Sequence, residues 1–332
     1  MTVVLLPGDG IGPEVMAAAR QVLEAVAPDL ELFEAPIGGG AIEKTGDPLP
    51  PETLRACLNS DAVLMGAVGS LDLRWSGRTP EDGMFALRRS LDVYANLRPF
   101  SGDGFDLMIV RELVGGLYFG ARGVRPDGVV FDTCEYHPDQ VERIVRRACE
   151  LARTRRGRVT SVDKANVLRT SRMWRDVAGR VAADYDDVVL DHLLVDTAAM
   201  RIVQDPGAFD VIVTENTFGD ILSDVAAAIA GGLGIAASAS LGDDGPGLFE
   251  PVHGSAPDIA GKGVANPTAM LRTVALMLEY GLGRGDDAAR VDAALDRVML
   301  THLTPDRGGD VGTAVFAGAV LEALAREGVR SA

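Results

Sequence analysis

Short apolar runs separated by stretches of helical periodicity set the rhythm of this chain. Residues 2–6 are β-branched and aliphatic and run into Pro7-Gly8, which predicts a buried strand ending in a turn. Pro13 and Glu14 then open a helix, because proline suits the first helical position and an acid suits the positive end of the dipole. Val15, Ala19, Val22 and Val26 give that helix one apolar stripe. Residues 62–65 read as another strand into glycine, and 106–110, 159–162, 188–195 and 210–214 as further apolar strands. Helical patterns at 140–153, 172–183 and 221–230 separate many of these. Strands alternating with helices predict an α/β protein with much parallel sheet. Residues 131–136 and the glycines around them break the rhythm and predict a β-arm. The turn Gly8-Asp9-Gly10-Ile11-Gly12 sits where a dinucleotide fingerprint would sit. Its glycines are spaced G-x-G-x-G rather than G-x-G-x-x-G, so a standard Rossmann pyrophosphate turn is not supported.

Composition narrows the class. The 332 residues are enough for two domains, and 47% hydrophobic content is ample for a core. A net charge of -16 argues against nucleic acid, whose phosphates call for basic surface. The apolar stretch 225–239 is short and broken by Gly231, Gly232 and Gly234, so no membrane span is expected. Cys57, Cys134 and Cys149 are odd in number and form no C-x-x-C pair, which points to reduced thiols in a cytoplasmic protein. Residues 2–6 are too short an apolar region for a signal peptide. Lysine occurs only at Lys44, Lys164 and Lys262. In an arginine-rich chain, a retained lysine points to a need for a titratable amine.

Four constellations carry candidate chemistry. Asp220 and Asp224 stand at i and i+4, so both carboxylates project from one helical face. Hard oxygen donors so placed suit Mg²⁺ or Mn²⁺; by spacing alone they also suit two acids favoured by a helix dipole. Arg88, Arg98 and Arg111 are guanidinium forks able to hold a dicarboxylate, and Arg111 ends an apolar strand, a poor place for an unpaired charge. Singly, each is as readily a surface charge. Tyr118, in Gly115-Gly-Leu-Tyr-Phe-Gly120, and Lys164, just after a strand, suit an acid and a base; Asp196 adds a carboxylate after another strand. Residues 250–269 concentrate Gly and Pro around Glu250, His253, Asp258 and Asn266, a loop carrying polar groups at fixed spacing.

Together these words resemble the isocitrate/isopropylmalate, or β-decarboxylating, dehydrogenase family over essentially the whole length, from Leu5 through the segment 308–313. Residues 115–120 are similar to the isopropylmalate branch, and Asp258-Ile259 to the NAD-using members. The resemblance implies an α/β two-domain fold with a non-Rossmann nucleotide site. Residues 1–93 and 231–332 would form one discontinuous domain. Residues 94–230 would form the second, carrying the dimer interface and an arm near 113–139. The site would lie between the domains and close on binding. The implied reaction is NAD- and metal-dependent oxidative decarboxylation of a 3-substituted malate, 3-isopropylmalate in that branch, within leucine biosynthesis and in a homodimer. Glu81, Met84, Phe85, Arg88, Arg98, Arg111, Asn166 and Val167 would meet the substrate. Ile11, Glu250, His253, Gly254, Ser255, Ala256, Asp258, Ile259 and Asn266 would hold NAD. Asp220, Asp224 and the partner's Asp196 would hold Mg²⁺ or Mn²⁺. Lys164, helped by the partner's Asp196, would be the base and Tyr118 the acid, with Lys164 and Asp196 crossing the dimer interface.

The chain departs from the family pattern at three places. The segments around 71–79 and between Arg98 and Arg111 are short, and Met84-Phe85 stand where the family presents two leucines. Met is adaptable and Phe bulky, so the pocket could take another 3-substituent. A non-catalytic paralogue that binds the cofactor without turnover is a second alternative. A Rossmann 2-hydroxyacid dehydrogenase is a third, weakened by the missing fingerprint.

Overall fold

The computed structural model describes residues 1–69 and 77–328. The short segment singled out at 71–79 therefore lies largely outside the described residues. In chain order, β1 (Thr2–Gly8), α1 (Gly12–Val26), β2 (Glu31–Glu34), α2 (Gly39–Thr45), α3 (Pro51–Leu58), β3 (Ala62–Ala67) and α4 (Pro80–Ser90) come first. There follow β4 (Ala95–Gly102), β5 (Phe105–Glu112), the hairpin β6 (Arg122–Val124) and β7 (Val130–Asp132), α5 (Pro138–Arg153), β8 (Arg158–Asp163) and α6 (Arg169–Ala182). Then come β9 (Val189–Leu194), α7 (Val195–Gln204), β10 (Val211–Thr214) and α8 (Asn216–Ala230). The last elements are β11 (Ala237–Leu241), β12 (Gly247–Pro251), α9 (Thr268–Leu276), α10 (Gly285–Met299) and α11 (Thr313–Gly328). The chain divides into two compact units, Met1–Asp92 with Leu233–Ala332, and Val93–Gly232.

In the first unit the strand order is β2-β1-β3-β12-β11. β1 pairs parallel with β2 and β3, β3 parallel with β12, and β11 antiparallel with β12. All six residues of β3 are buried, so the strand reads as a continuous apolar run rather than an alternation. α1 buries the stripe Val15, Val22 and Val26 that its periodicity predicts. The Gly8–Gly12 turn needs its glycines for close backbone approach. Gly8 and Gly10 hold positive φ (73° and 59°), and a Cβ there would run into the carbonyls of Ala67 and Ser255 respectively.

In the second unit the order is β4-β5-β10-β8-β9, with only β4–β5 antiparallel. β4 and β5 join by a tight hairpin through Asp103-Gly104 (Gly104 φ 78°), which accounts for the short segment between Arg98 and Arg111. The strip expected to be an arm holds the β6–β7 ribbon, and Tyr136 follows it, half-buried, just before α5. α8 begins at Asn216, five residues before the first apolar residue of its pattern. Glu215 caps it by accepting the Phe218 N–H at 3.0 Å.

Candidate active site

The predicted site residues fall into two sets, one in each unit. In the first unit, the turn after β1 and the loop after β12 are stitched together, since Ile11 N–H donates to Ser255 O at 2.8 Å. Asp9 anchors the same corner: its carboxylate accepts the N–H groups of Gly39 (2.9 Å), Gly40 (3.1 Å) and Gly69 (3.0 Å). Along the loop, His253 is held by Gly254 O at Nδ1 (3.0 Å), while its buried Nε2 has no partner. Burial pushes the imidazole pKa down, so the ring is neutral at pH 7. Ala256 sits at φ 40°, a strained conformation for a residue with a Cβ. Ile259 N–H closes a turn on Ala256 O, leaving Asp258 and Gly254 exposed. Asn266 is fixed at both ends, donating to Asp306 Oδ2 (3.0 Å) and accepting from Thr268 N–H (3.0 Å).

α4 brings Glu81, Met84, Phe85 and Arg88 onto one face at i, i+3, i+4 and i+7. Thr79 starts this helix with a reciprocal capping box to Asp82. Arg88 is buried, and its Nη2 donates to Glu250 Oε1 at 2.5 Å. Thus a residue read as a substrate ligand and one read as a cofactor ligand are paired. Arg88 Nε is buried without a partner, a donor set to receive an anionic acceptor.

In the second unit a polar cluster forms around the half-buried Asp220. Arg111, at the end of β5, is ion-paired to Asp220 Oδ1, and Arg98 on β4 lies 3.7 Å from the same oxygen. Both guanidiniums are buried, so each needs compensation. Arg98 donates to Asn96 Oδ1 (2.6 Å) and Ser223 Oγ (2.5 Å), and Arg111 to Asn216 Oδ1 (2.7 and 3.0 Å). The Tyr118 hydroxyl donates to Asp220 Oδ2 at 3.1 Å; burial and the Asp220 charge both raise its pKa. Asp224, one turn along α8, has its pKa raised by burial and by the Asp220 charge against the opposing pull of Arg98 and Arg111.

Lys164 and Asp196 pair with each other within one chain, and the hydrogen bond from the lysine lowers the Asp196 pKa. The pairing follows from the parallel register of β8 and β9, which sets Asp163 beside Leu194 and so the loop after β8 beside the first turn of α7. Asp196 is 63% exposed at its side chain, and Asn166 and Val167 beside Lys164 are exposed too. Among the described residues no three His, Cys, Asp or Glu side chains could together hold a metal ion, so Asp196 does not complete a triad with Asp220 and Asp224 of its own chain.

Beneath this cluster lies a network that the sequence reading does not find. Glu112, fully buried, accepts the N–H groups of Val114 (3.1 Å) and Gly115 (2.8 Å). Burial pushes its pKa up to about 7. The Tyr136 hydroxyl donates to Glu215 Oε2 (3.2 Å) and accepts from Asn216 N–H (2.9 Å). Asn216 in turn donates to Leu113 O (3.2 Å) and Gly115 O (3.0 Å). The turn leading to Tyr118, the start of α8 and Arg111 are thereby fixed to one another. The signal that finds Arg111, a charge closing an apolar strand, applies equally to Glu112.

The family model described as isocitrate/isopropylmalate dehydrogenase matches residues 2–323. The chain belongs to that family and is a decarboxylating dehydrogenase. It is 48% identical to the 3-isopropylmalate dehydrogenase of Shouchella clausii, with 99% of each chain covered. Among solved structures it is similar to the isocitrate dehydrogenase of Methylococcus capsulatus (TM-score 0.91, 38% identity, 97% of this chain and 99% of the other). It is also similar to a β-decarboxylating dehydrogenase of Thermococcus kodakarensis in its apo form (TM-score 0.86, 38% identity, 98% and 96%).

Proposed function

We propose that the protein oxidises and decarboxylates (2R,3S)-3-isopropylmalate to 4-methyl-2-oxopentanoate and CO₂, with NAD⁺ and Mg²⁺ or Mn²⁺, in leucine biosynthesis. The carrying observation is the buried pair Arg98 and Arg111 gathered with the Tyr118 hydroxyl around Asp220. Guanidinium forks, an acid group and a hard carboxylate are what a chelating hydroxy diacid requires. The unpartnered Arg88 Nε supports a further carboxylate contact. The neutral, unpartnered His253 Nε2 fits a loop that holds NAD.

Asp220 and Asp224 fit a hard divalent cation, since burial first, and then the Asp220 charge, raises the Asp224 pKa, and a cation between the two carboxylates would offset both. The exposed Asp196 of a second copy would supply a third oxygen donor, with the protein acting as a homodimer in the cytoplasm. A bound Mg²⁺ or Mn²⁺ supplies Lewis-acid polarisation of the C2 oxygen and NAD⁺ accepts the hydride. Lys164, oriented by Asp196, takes the C2 hydroxyl proton as the C2 hydride departs. The arginines hold the carboxylates so that the C3 carboxyl leaves as CO₂. Tyr118 then delivers its proton to C3, the carbon that lost the carboxyl.

A second reading keeps the chemistry and changes the substituent, favoured by half-buried Met84 and Phe85 on the face that carries Arg88. The test follows NADH formation from NAD⁺ and racemic threo-3-isopropylmalate, with Mg²⁺ or Mn²⁺ and again with EDTA. Metal-dependent turnover supports the first reading. Faster turnover of longer alkyl- or aryl-malates supports the second. Cofactor binding with no turnover of any of them overturns both in favour of a non-catalytic paralogue.

A further inference from the structure

Glu14 reads in the sequence as an acid suited to a helix dipole, and it does lie in the first turn of α1. Its carboxylate, however, is spent on a distant segment. Oε2 accepts the Gly263 N–H (3.3 Å) and Oε1 the Ala265 N–H (3.1 Å), some 250 residues along the chain. Thr313, at the start of α11, takes the opposite sides of the same two residues. Its N–H donates to Gly263 O at 3.0 Å. Its hydroxyl lies 2.6 Å from Ala265 O and also contacts the Glu14 carboxylate. Both the amide and the carbonyl of Gly263 and of Ala265 are therefore held, the amides by Glu14 and the carbonyls by Thr313. Gly312 is needed for this approach, because a Cβ there would lie 2.7 Å from Gly263 O. Asn266, the next residue of the loop, is fixed in the same stretch by Asp306.

We propose that Glu14 and Thr313 are positioning residues for the cofactor: they set the conformation of 263–266 in which the loop receives NAD, without touching it. This inference rests on the reading of 250–266 as the NAD loop. A charge-assisted acceptor holding two backbone donors loses most of its hold when neutralised. Once the segment is free, part of the binding free energy goes into re-ordering it. The effect is confined to cofactor affinity, because neither residue belongs to the arginine, lysine or tyrosine sets.

The test is NADH binding, followed by fluorescence titration on the full-length protein as purified, with steady-state kinetics alongside. Glu14→Gln and Thr313→Val are each expected to raise the NADH Kd about tenfold, with KM for NAD⁺ rising in parallel. The KM for the malate substrate and kcat at saturating NAD⁺ should stay within twofold. Thr313→Ser, which keeps the hydroxyl, should bind NADH as the parent does, so that a misfolded Glu14→Gln protein leaves the pair Val against Ser to decide. A loss of thermal stability without a change in NADH Kd would make the clasp merely structural and overturn the proposal. Asp258→Ala separates the two levels of inference. If it weakens NADH binding while Glu14→Gln and Thr313→Val do not, the positioning role fails and the loop reading stands. If Asp258→Ala leaves binding unchanged, or the parent binds no NADH, the loop reading fails and the positioning role with it.

Discussion

Replacing Glu250 by alanine isolates the cost of an unpaired charge in this fold. The Arg88 and Glu250 side chains are only 9% and 10% exposed, and they meet at 2.5 Å. Removing the carboxylate leaves a buried guanidinium whose Nε already lacks a partner. Breaking a buried pair in this way costs about 3–5 kcal/mol, because the stranded charge cannot regain its hydration. For a unit of this size each kcal/mol moves the melting midpoint by roughly 2–4 °C, so calorimetry should register a fall of about 6–20 °C. The substrate KM should rise as well, since Arg88 loses the contact that aims it. The double variant Arg88→Met/Glu250→Leu removes the stranded charge and should recover most of the lost stability. Glu250→Gln, which keeps the acceptor oxygen, should fall between parent and alanine. The reasoning is refuted by a Glu250→Ala midpoint within 2 °C of the parent's, or by a double variant no more stable than the single one.

Three further outcomes are expected. In the unfolded chain Glu112 ionises near 4.5, whereas in the fold it holds its proton to about pH 7, so the unfolded state binds fewer protons between those values and stability falls as pH rises through that window. Urea unfolding at pH 5 and pH 8 should show the parent losing about 3 kcal/mol relative to Glu112→Gln; equal pH dependence in the two proteins would sink the idea. Tyr136→Phe strips a hydroxyl from between Glu215 and the Asn216 N–H and should cost about 1–3 kcal/mol while lowering kcat, so parent-like values of both would show that the network does not hold Tyr118. Lys164→Met and Asp220→Asn should each be inactive alone, and the two refolded together should regain about a quarter of parental activity, because half the dimers would be mixed and carry one intact site each. A silent mixture would show that the site is not shared between subunits.

Much of the fold was legible because its elements are local. Periodicity locates β1, α1, β3, α5 and β10 to within a few residues, since each announces itself over a single short window. The start of α8 escapes that signal: residues 216–220 hold a single apolar side chain, Phe218, too few to form a stripe, and the cap that fixes the start is a side-chain hydrogen bond. The G-x-G-x-G spacing argues against a pyrophosphate turn, but the work of Asp9 cannot be read, because its partners stand 30 to 60 residues away. The same distance problem hides the Arg88–Glu250 pair, separated by 162 positions. Individual site residues could be named from local words. What each one touches could not, and for Glu250 and Glu14 the contact changes what the residue does.

The discontinuity of the first unit also bears on how the protein is made. Val93–Gly232 is one uninterrupted stretch, so it can gather its own elements as soon as it leaves the ribosome. The other unit cannot: the edge of β3 that pairs with β12 stays open while some 180 residues, from Ala67 to Gly247, are still to be synthesised. At about 5–20 residues per second that wait is roughly 10–40 s. Throughout it, a buried-type strand of aliphatic side chains offers an unpaired edge to any neighbouring nascent chain. Yield in the cell is therefore expected to depend on translation speed and on chaperone cover of the first 90 residues more than on the stability of the finished protein.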